Sequence, residues 1–141
     1  MYRFKEILII EDQGNSDVSM IKEAFNLLKT NYKLKFISDG IEAIRFLNQE
    51  AENNLVNQSL ILLGLDLPGK SGYEVLKEIK QNEKLRHIPV IIINSSYEQI
   101  DNLYIEGANS VIEKPKDFES LVVIIKEIEE FWLKTSQLPN F

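Results

Sequence analysis

Residues Leu60 to Gly72 read L-I-L-L-G-L-D-L-P-G-K-S-G. The apolar run Leu60 to Leu63 has the character of a strand covered on both faces. It breaks at Gly64, and Pro68-Gly69 turns the chain. The polar bend Lys70-Ser71-Gly72 then opens a helix from Tyr73. A strand that hands over to a helix in this way ends at the carboxyl edge of a sheet, where α/β proteins gather their functional groups. The residue at the strand's tip is therefore the first to ask about. Here it is Gly64, which brings no side chain to do chemistry with.

Outward from this stretch, strands and helices alternate. Glu6 to Ile10 is a short apolar strand ending in Glu11-Asp12, and Gln13 to Ser16 form a loop. Asp17 to Lys29 carry Val18, Ile21, Ala24, Phe25 and Leu28 at helical spacing. Lys33 to Ser38 make a weaker strand, and Asp39-Gly40 turns into a helix with Ile41, Ile44 and Leu47 among its apolar positions. The polar, Asn-rich Glu50 to Gln58 reads as a connection. After the central strand, the helix Tyr73 to Gln81 turns Val75, Leu76 and Ile79 inward. Val90 to Ile93 is a continuous apolar strand ending in Asn94-Ser95-Ser96. Tyr97 to Glu106 predicts a short helix closed by Gly107. Asn109 to Glu113 is a fifth strand ending at Lys114-Pro115. Asp117 or Phe118 opens a last helix through Lys134, with Leu121, Ile124, Ile125, Ile128, Phe131 and Trp132 as its apolar face. Five strands alternating with five helices predict a parallel sheet covered on both sides, one domain over residues 1–141 with an extended last helix and tail from 129.

Composition agrees and narrows the function. At 141 residues, 44% hydrophobic and 27% charged, the chain has the size and make-up of one ordinary globular domain. No apolar run approaches membrane-spanning length, and M-Y-R-F-K-E lacks the shape of a signal peptide, so no membrane role is expected. The absence of cysteine removes disulfides and thiolate metal sites and fits a cytoplasmic protein. A net charge of −6 argues against nucleic acid as a direct partner, since phosphate backbones are bound by basic patches.

In a parallel sheet of this kind the strand ends Glu11-Asp12, Gly64, Asn94 and Lys114 come together at one edge. Carboxylates beside a phosphate site suit Mg²⁺, which prefers hard oxygen ligands. A lysine opposite them balances charge and reaches a phosphoryl oxygen. A carboxylate at the central strand's tip would be the nucleophile, and a hydroxyl at the fourth would hydrogen-bond the phosphoryl group. Two of these parts are missing.

The succession I-L-I-I-E-D, L-L-x-L-x-L-P-G-K-S-G, I-P-V-I-I-I, G-A-N and K-P resembles the receiver domain of bacterial two-component response regulators over essentially the whole chain. E-D-Q-G-N-S-D-V, L-P-G-K-S-G and F-W-L-K-T-S-Q-L-P are similar to single-domain receivers that work with bacteriophytochrome-type histidine kinases. The resemblance implies a flavodoxin-like (βα)5 fold and Mg²⁺-dependent transfer of a phosphoryl group from a kinase histidine to a receiver aspartate. Carried over residue by residue, Glu11 and Asp12 take the acidic metal positions, Asp66 the position whose backbone carbonyl binds metal, and Lys114 the phosphate-site lysine. The phosphoacceptor position falls on Gly64, the hydroxyl position on Asn94 and the aromatic switch position on Val111. Three positions that receive, sense or report phosphate are therefore changed together. The reading adopted is a phosphorylation-incompetent pseudo-receiver, not an enzyme, acting on a kinase or on another receiver.

Further expectations follow. Mg²⁺ should bind weakly, because one of three carboxylates is gone. Asp66 lies about 6–7 Å along the chain from Gly64, too far to replace it as nucleophile. Lys114 should pair with Glu11 or Asp12, and the Asn94 amide should fill the space of the missing carboxylate. His87 reads as a solvent-exposed loop residue. Phe131 and Trp132 cannot both face inward, so one belongs to a protein interface. Relatives with this tail associate through the fourth-strand to fifth-strand face and the last helix, which implies a homodimer, or a heterodimer with a phosphorylatable receiver. The alternatives are an ordinary receiver carrying an engineered Asp-to-Gly change at position 64, and an FMN-binding flavodoxin, for which Gln13-Gly14-Asn15-Ser16 is a poor phosphate cradle.

Overall fold

In a computed structural model, residues 6–12, 17–29, 32–94 and 99–137 are described. Their elements are β1 (Glu6–Ile10), α1 (Asp17–Leu27), β2 (Lys33–Ile37), α2 (Gly40–Glu52), β3 (Gln58–Leu63), α3 (Gly72–Gln81), β4 (Val90–Asn94), α4 (Ile100–Ile105), β5 (Ser110–Glu113) and α5 (Phe118–Ile128). A π-helical extension, Glu129–Thr135, continues α5. The strands form one parallel sheet in the order β2-β1-β3-β4-β5. This is the flavodoxin-like arrangement expected, and it places β3 at the centre.

The continuous apolar runs are explained by helices on both faces. Successive strand side chains point to opposite sides. Leu8, Ile10, Ile61, Leu63, Val90 and Ile92 pack with α2 and α3. Ile7, Ile9, Leu60, Leu62, Ile91 and Ile93 pack with α1 and α5. Each run is therefore two alternating stripes, each with its own core.

Several boundaries differ from the sequence reading. Helix α2 runs to Glu52 rather than yielding to a connection at Glu50, because Ala51 continues the buried stripe of Ala43, Ile44 and Leu47. Its start is fixed by Asp39, whose Oδ1 accepts from the N–H groups of Ile41 (2.7 Å) and Glu42 (3.1 Å). Strand β3 begins at Gln58 because that side chain is drawn into the sheet, its Nε2 donating to Glu6 Oε1 at 2.8 Å. Helix α4 starts at Ile100, since Gln99 is left-handed at φ 64°. The Gln13–Ser16 loop, Ser95-Ser96 and the expected helix start at Tyr97 lie outside the described residues. The last helix does not stay α-helical to Lys134; its winding changes at Glu129. His87 is half-buried rather than exposed, and desolvation followed by the nearby Lys80 charge lowers its pKa.

Candidate functional site at the carboxyl edge

The sheet ladder continues one residue past the strands and fixes the backbone of the site. Glu11 N–H donates to Ile37 O (3.1 Å), Gly64 N–H to Ile10 O (2.9 Å) and Lys114 N–H to Asn94 O (2.8 Å). Glu11, Gly64, Asn94 and Lys114 are thus held at one edge by backbone bonds, as the topology required. The pairing of Ile10 with Leu63 sets Glu11 beside Gly64.

What fills the tip of β3 was not foreseen. A Cβ built on Gly64 would lie 2.5 Å from Glu11 Oε2, with the other two carboxylate atoms at 2.8 Å. These are its three nearest neighbours, so the Glu11 carboxylate lies against the glycine. Only a residue without a Cβ admits it there. Lys114 Nζ meets the same Oε2 at 3.4 Å, which is the partnership expected for that lysine. The pair is well buried, with side-chain exposures of 6% for Glu11 and 13% for Lys114. A carboxylate this far from water requires a cation, and Lys114 supplies it.

The neighbouring residues frame the pair. Asn94 is buried and Asp12 half-buried, whereas Asp66 is exposed on the loop after β3. That loop is tied back by Gly72 N–H donating to Leu65 O (2.9 Å), and a Cβ at Gly72 would run into the Gly64 carbonyl. Val111, half-buried on the edge strand, donates its N–H to the Tyr104 hydroxyl at 3.0 Å. That bond serves an otherwise outward-facing ladder group. Sequence reasoning read Gly72 only as part of the bend that opens the helix and overlooked Tyr104. Gly72 could have been found as a small residue opening a helix directly against the site, but nothing in the sequence singles out Tyr104.

The fit of a divalent cation can be judged from these donors. Among the described residues no group of three or more His, Cys, Asp or Glu is placed to hold a metal. Glu11 already has Lys114 as counter-ion. The two carboxylates at this edge, one of them already paired with Lys114, are a poor fit for a divalent cation. Among the same residues no helix is long and apolar enough to cross a membrane.

A five-stranded parallel sheet with this acid-lysine edge defines a class, and comparison with known families agrees. Residues 7–126 match the response regulator receiver domain, and the chain belongs to that family. Response regulator Rcp1 of Synechocystis sp. (strain ATCC 27184 / PCC 6803 / Kazusa) is 37% identical over 138 residues, covering 96% of this chain and 93% of Rcp1. The crystal structure of the phosphorylated cyanobacterial phytochrome response regulator RcpA superimposes with a TM-score of 0.87 at 39% identity, covering 96% of this chain and 99% of that one. The Mn²⁺-bound form of Rcp1 does so at 0.84 and 37%, with the same coverage. The chain is thus a response regulator of two-component signalling, related to those of phytochromes.

Proposed function

We propose that this chain is a single-domain pseudo-receiver that takes no phosphoryl group at the family's acceptor position and works through protein contact. The observation that carries this reading is Gly64 at the tip of β3 with the Glu11 carboxylate, paired to Lys114, lying against it. An acyl phosphate needs a carboxylate nucleophile there, and glycine has none. A phosphoryl group entering the site would also meet the Glu11 carboxylate, while Lys114 is already engaged. Asn94 and Val111, in place of a hydroxyl and an aromatic, leave no route for reporting phosphate. Mg²⁺ binds in the millimolar range or more weakly, about −4 kcal/mol at best.

The partners are a phytochrome-type histidine kinase or another receiver, in the cytoplasm, without nucleic acid or membrane. The α4–β5–α5 face and the last helix carry the contact, as a homodimer or with a phosphorylatable receiver. Exposed Tyr104, Ile105, Val123 and Phe131 support this.

The test is intact mass after incubation with Mg²⁺ and acetyl phosphate, and separately with a phytochrome-type histidine kinase. The expected result is no adduct; a phosphoryl group mapped to any aspartate overturns the reading. Retention of Glu11-Asp12 and Lys114-Pro115 favours one second reading, an engineered loss of the acceptor. Gly64→Asp separates the two. It restores efficient phosphorylation if the rest of the site is competent, and little if Asn94 has already disabled it. Light scattering at micromolar concentration should show a dimer unchanged by Mg²⁺ and acetyl phosphate, and a monomer at about 100 µM sinks the homodimer.

A further inference from the structure

The buried face of α5 runs through Leu121, Ile125 and Ile128. Helical spacing carries that face on to Glu129, four residues after Ile125, and the Glu129 residue is only 6% exposed. A carboxylate there needs a cation. In α winding its neighbours one turn on are Trp132 and Leu133, three and four residues away, and neither is charged. Lys134, five residues on, would stand about 140° around the helix.

The extension instead winds as a π-helix from Glu129 to Thr135. Its wider turn brings Lys134 Nζ to 3.2 Å from Glu129 Oε1. The Ser136 N–H donates to Phe131 O at 2.6 Å, a bond with the same five-residue step. The Glu129 charge raises the Lys134 pKa, first through their hydrogen bond. Oε2 of Glu129 is buried without a hydrogen-bond partner among the described residues, while Lys134 is 61% exposed, so only the carboxylate carries the cost of burial.

The winding decides which side chains reach the core. In the observed form Leu133 is buried, its carbonyl accepting from Tyr32 Oη at 3.3 Å. Trp132 is half-buried. Phe131 stands 55% exposed, edge-on to the Trp132 ring at a centroid distance of 5.2 Å. In continued α winding, Trp132 would follow Ile128 by four residues and take the centre of the buried stripe. Leu133 would turn outward and Phe131 would move to the flank of the stripe.

We propose that the Glu129–Lys134 pair is a latch that selects the π winding of the C-terminal extension and so determines that Phe131, rather than Leu133, is presented to partners. Loss of either charge, or transfer of the cation by one position, rewinds the segment by one register step.

Trp132 is the only tryptophan, so its fluorescence reads the register directly. Glu129→Leu removes the demand for a cation. The pair Leu133→Lys with Lys134→Leu keeps the composition but moves the ammonium to the α-helical i+4 position of Glu129. In both, Trp132 emission should shift to shorter wavelength and its quenching by acrylamide should fall. Glu129→Leu replaces a buried charge by an apolar group, which keeps the fold accessible to the test. Emission unchanged in both variants overturns the latch. So does a shift to longer wavelength in both, which means that the pair only holds the segment down.

Discussion

Strand β1 begins on one buried glutamate, Glu6, and is followed at once by another, Glu11, and β3 with the residue after it answers the two in opposite ways. At the amino end, β3 contributes a side chain: Gln58 Nε2 donates to Glu6 Oε1 at 2.8 Å, while Lys33, 70% exposed, stands 3.8 Å from the other oxygen. At the carboxyl end, β3 contributes the absence of one. Gly64 leaves room for the Glu11 carboxylate, and a largely buried lysine from beyond β5 neutralises it. The amino end is a structural hydrogen bond with a solvated ion nearby. The carboxyl end is a largely buried ion pair at the edge of the sheet where the strands end. Two glutamates of near-equal burial thus depend on quite different partners, and substitution of those partners should reveal it.

The largest effect is expected from Lys114→Met. It removes the buried ammonium from Glu11 while keeping most of the side-chain volume. Breaking a buried pair from one side costs about 3–5 kcal/mol, because the remaining charge stays desolvated. A urea titration should show a loss of roughly 3 kcal/mol. A loss under about 1 kcal/mol would mean that Glu11 finds water or another donor, and the contrast between the two ends would collapse.

Gln58→Leu comes next. It takes from Glu6 its short neutral donor and leaves the solvated Lys33 to serve the carboxylate. An unsatisfied buried acceptor costs about 1–3 kcal/mol, so about 2 kcal/mol is expected in the same titration. A neutral result would make Lys33 the real partner of Glu6 and the amino end more like the carboxyl end than its geometry implies.

The fold was legible because period and punctuation agreed from Glu6 to Ile128: apolar runs of strand length, capped helices, and turn residues between them. That Glu11, Gly64, Asn94 and Lys114 meet at one edge was legible for the same reason, since strand order alone gathers them. Their arrangement was not. Whether Asn94 or Glu11 would fill the space at Gly64 depends on side-chain rotamers and local charge, which no spacing encodes. The Gln58–Glu6 bond was hidden because both residues look like ordinary polar strand ends. The break in winding at Glu129 left a trace, an acid on an apolar stripe with its cation one residue out of α register, but a continuous helical pattern masked it.

Lys80 adds a third kind of charge, again toward the amino end. Its Nζ donates to Arg86 O (3.1 Å), Ile88 O (2.8 Å) and Asn109 Oδ1 (3.1 Å), all neutral acceptors. Desolvation lowers its pKa from 10.5 to about 8. Between those values the unfolded chain holds more protons than the folded one, so stability rises with pH. The deficit is complete below pH 8 and vanishes above 10.5. The slope is a fraction of the roughly 1.4 kcal/mol per pH unit that one whole proton gives, because the ammonium keeps some solvent and three acceptors. Urea midpoints at about pH 7.5 and 9.5 should diverge more for the wild type than for Lys80→Met. Equal divergence would place the titration on another group.

The smallest effect belongs to Lys33→Met, chemically the same change as Lys114→Met. Lys33 is 70% exposed and 3.8 Å from Glu6, so water already screens the attraction and the long side chain gives up rotamer freedom to hold it. Exposed pairs of this kind contribute about 0–1 kcal/mol, and added salt weakens them further. The expected loss is about 0.5 kcal/mol or less, vanishing in about 0.5 M salt, where the Lys114→Met deficit should persist because its ions are shielded from solvent. If Lys33→Met cost as much as Lys114→Met, burial would not distinguish the two ends, and the room that Gly64 leaves for Glu11 would no longer explain why Lys114 is held where it is.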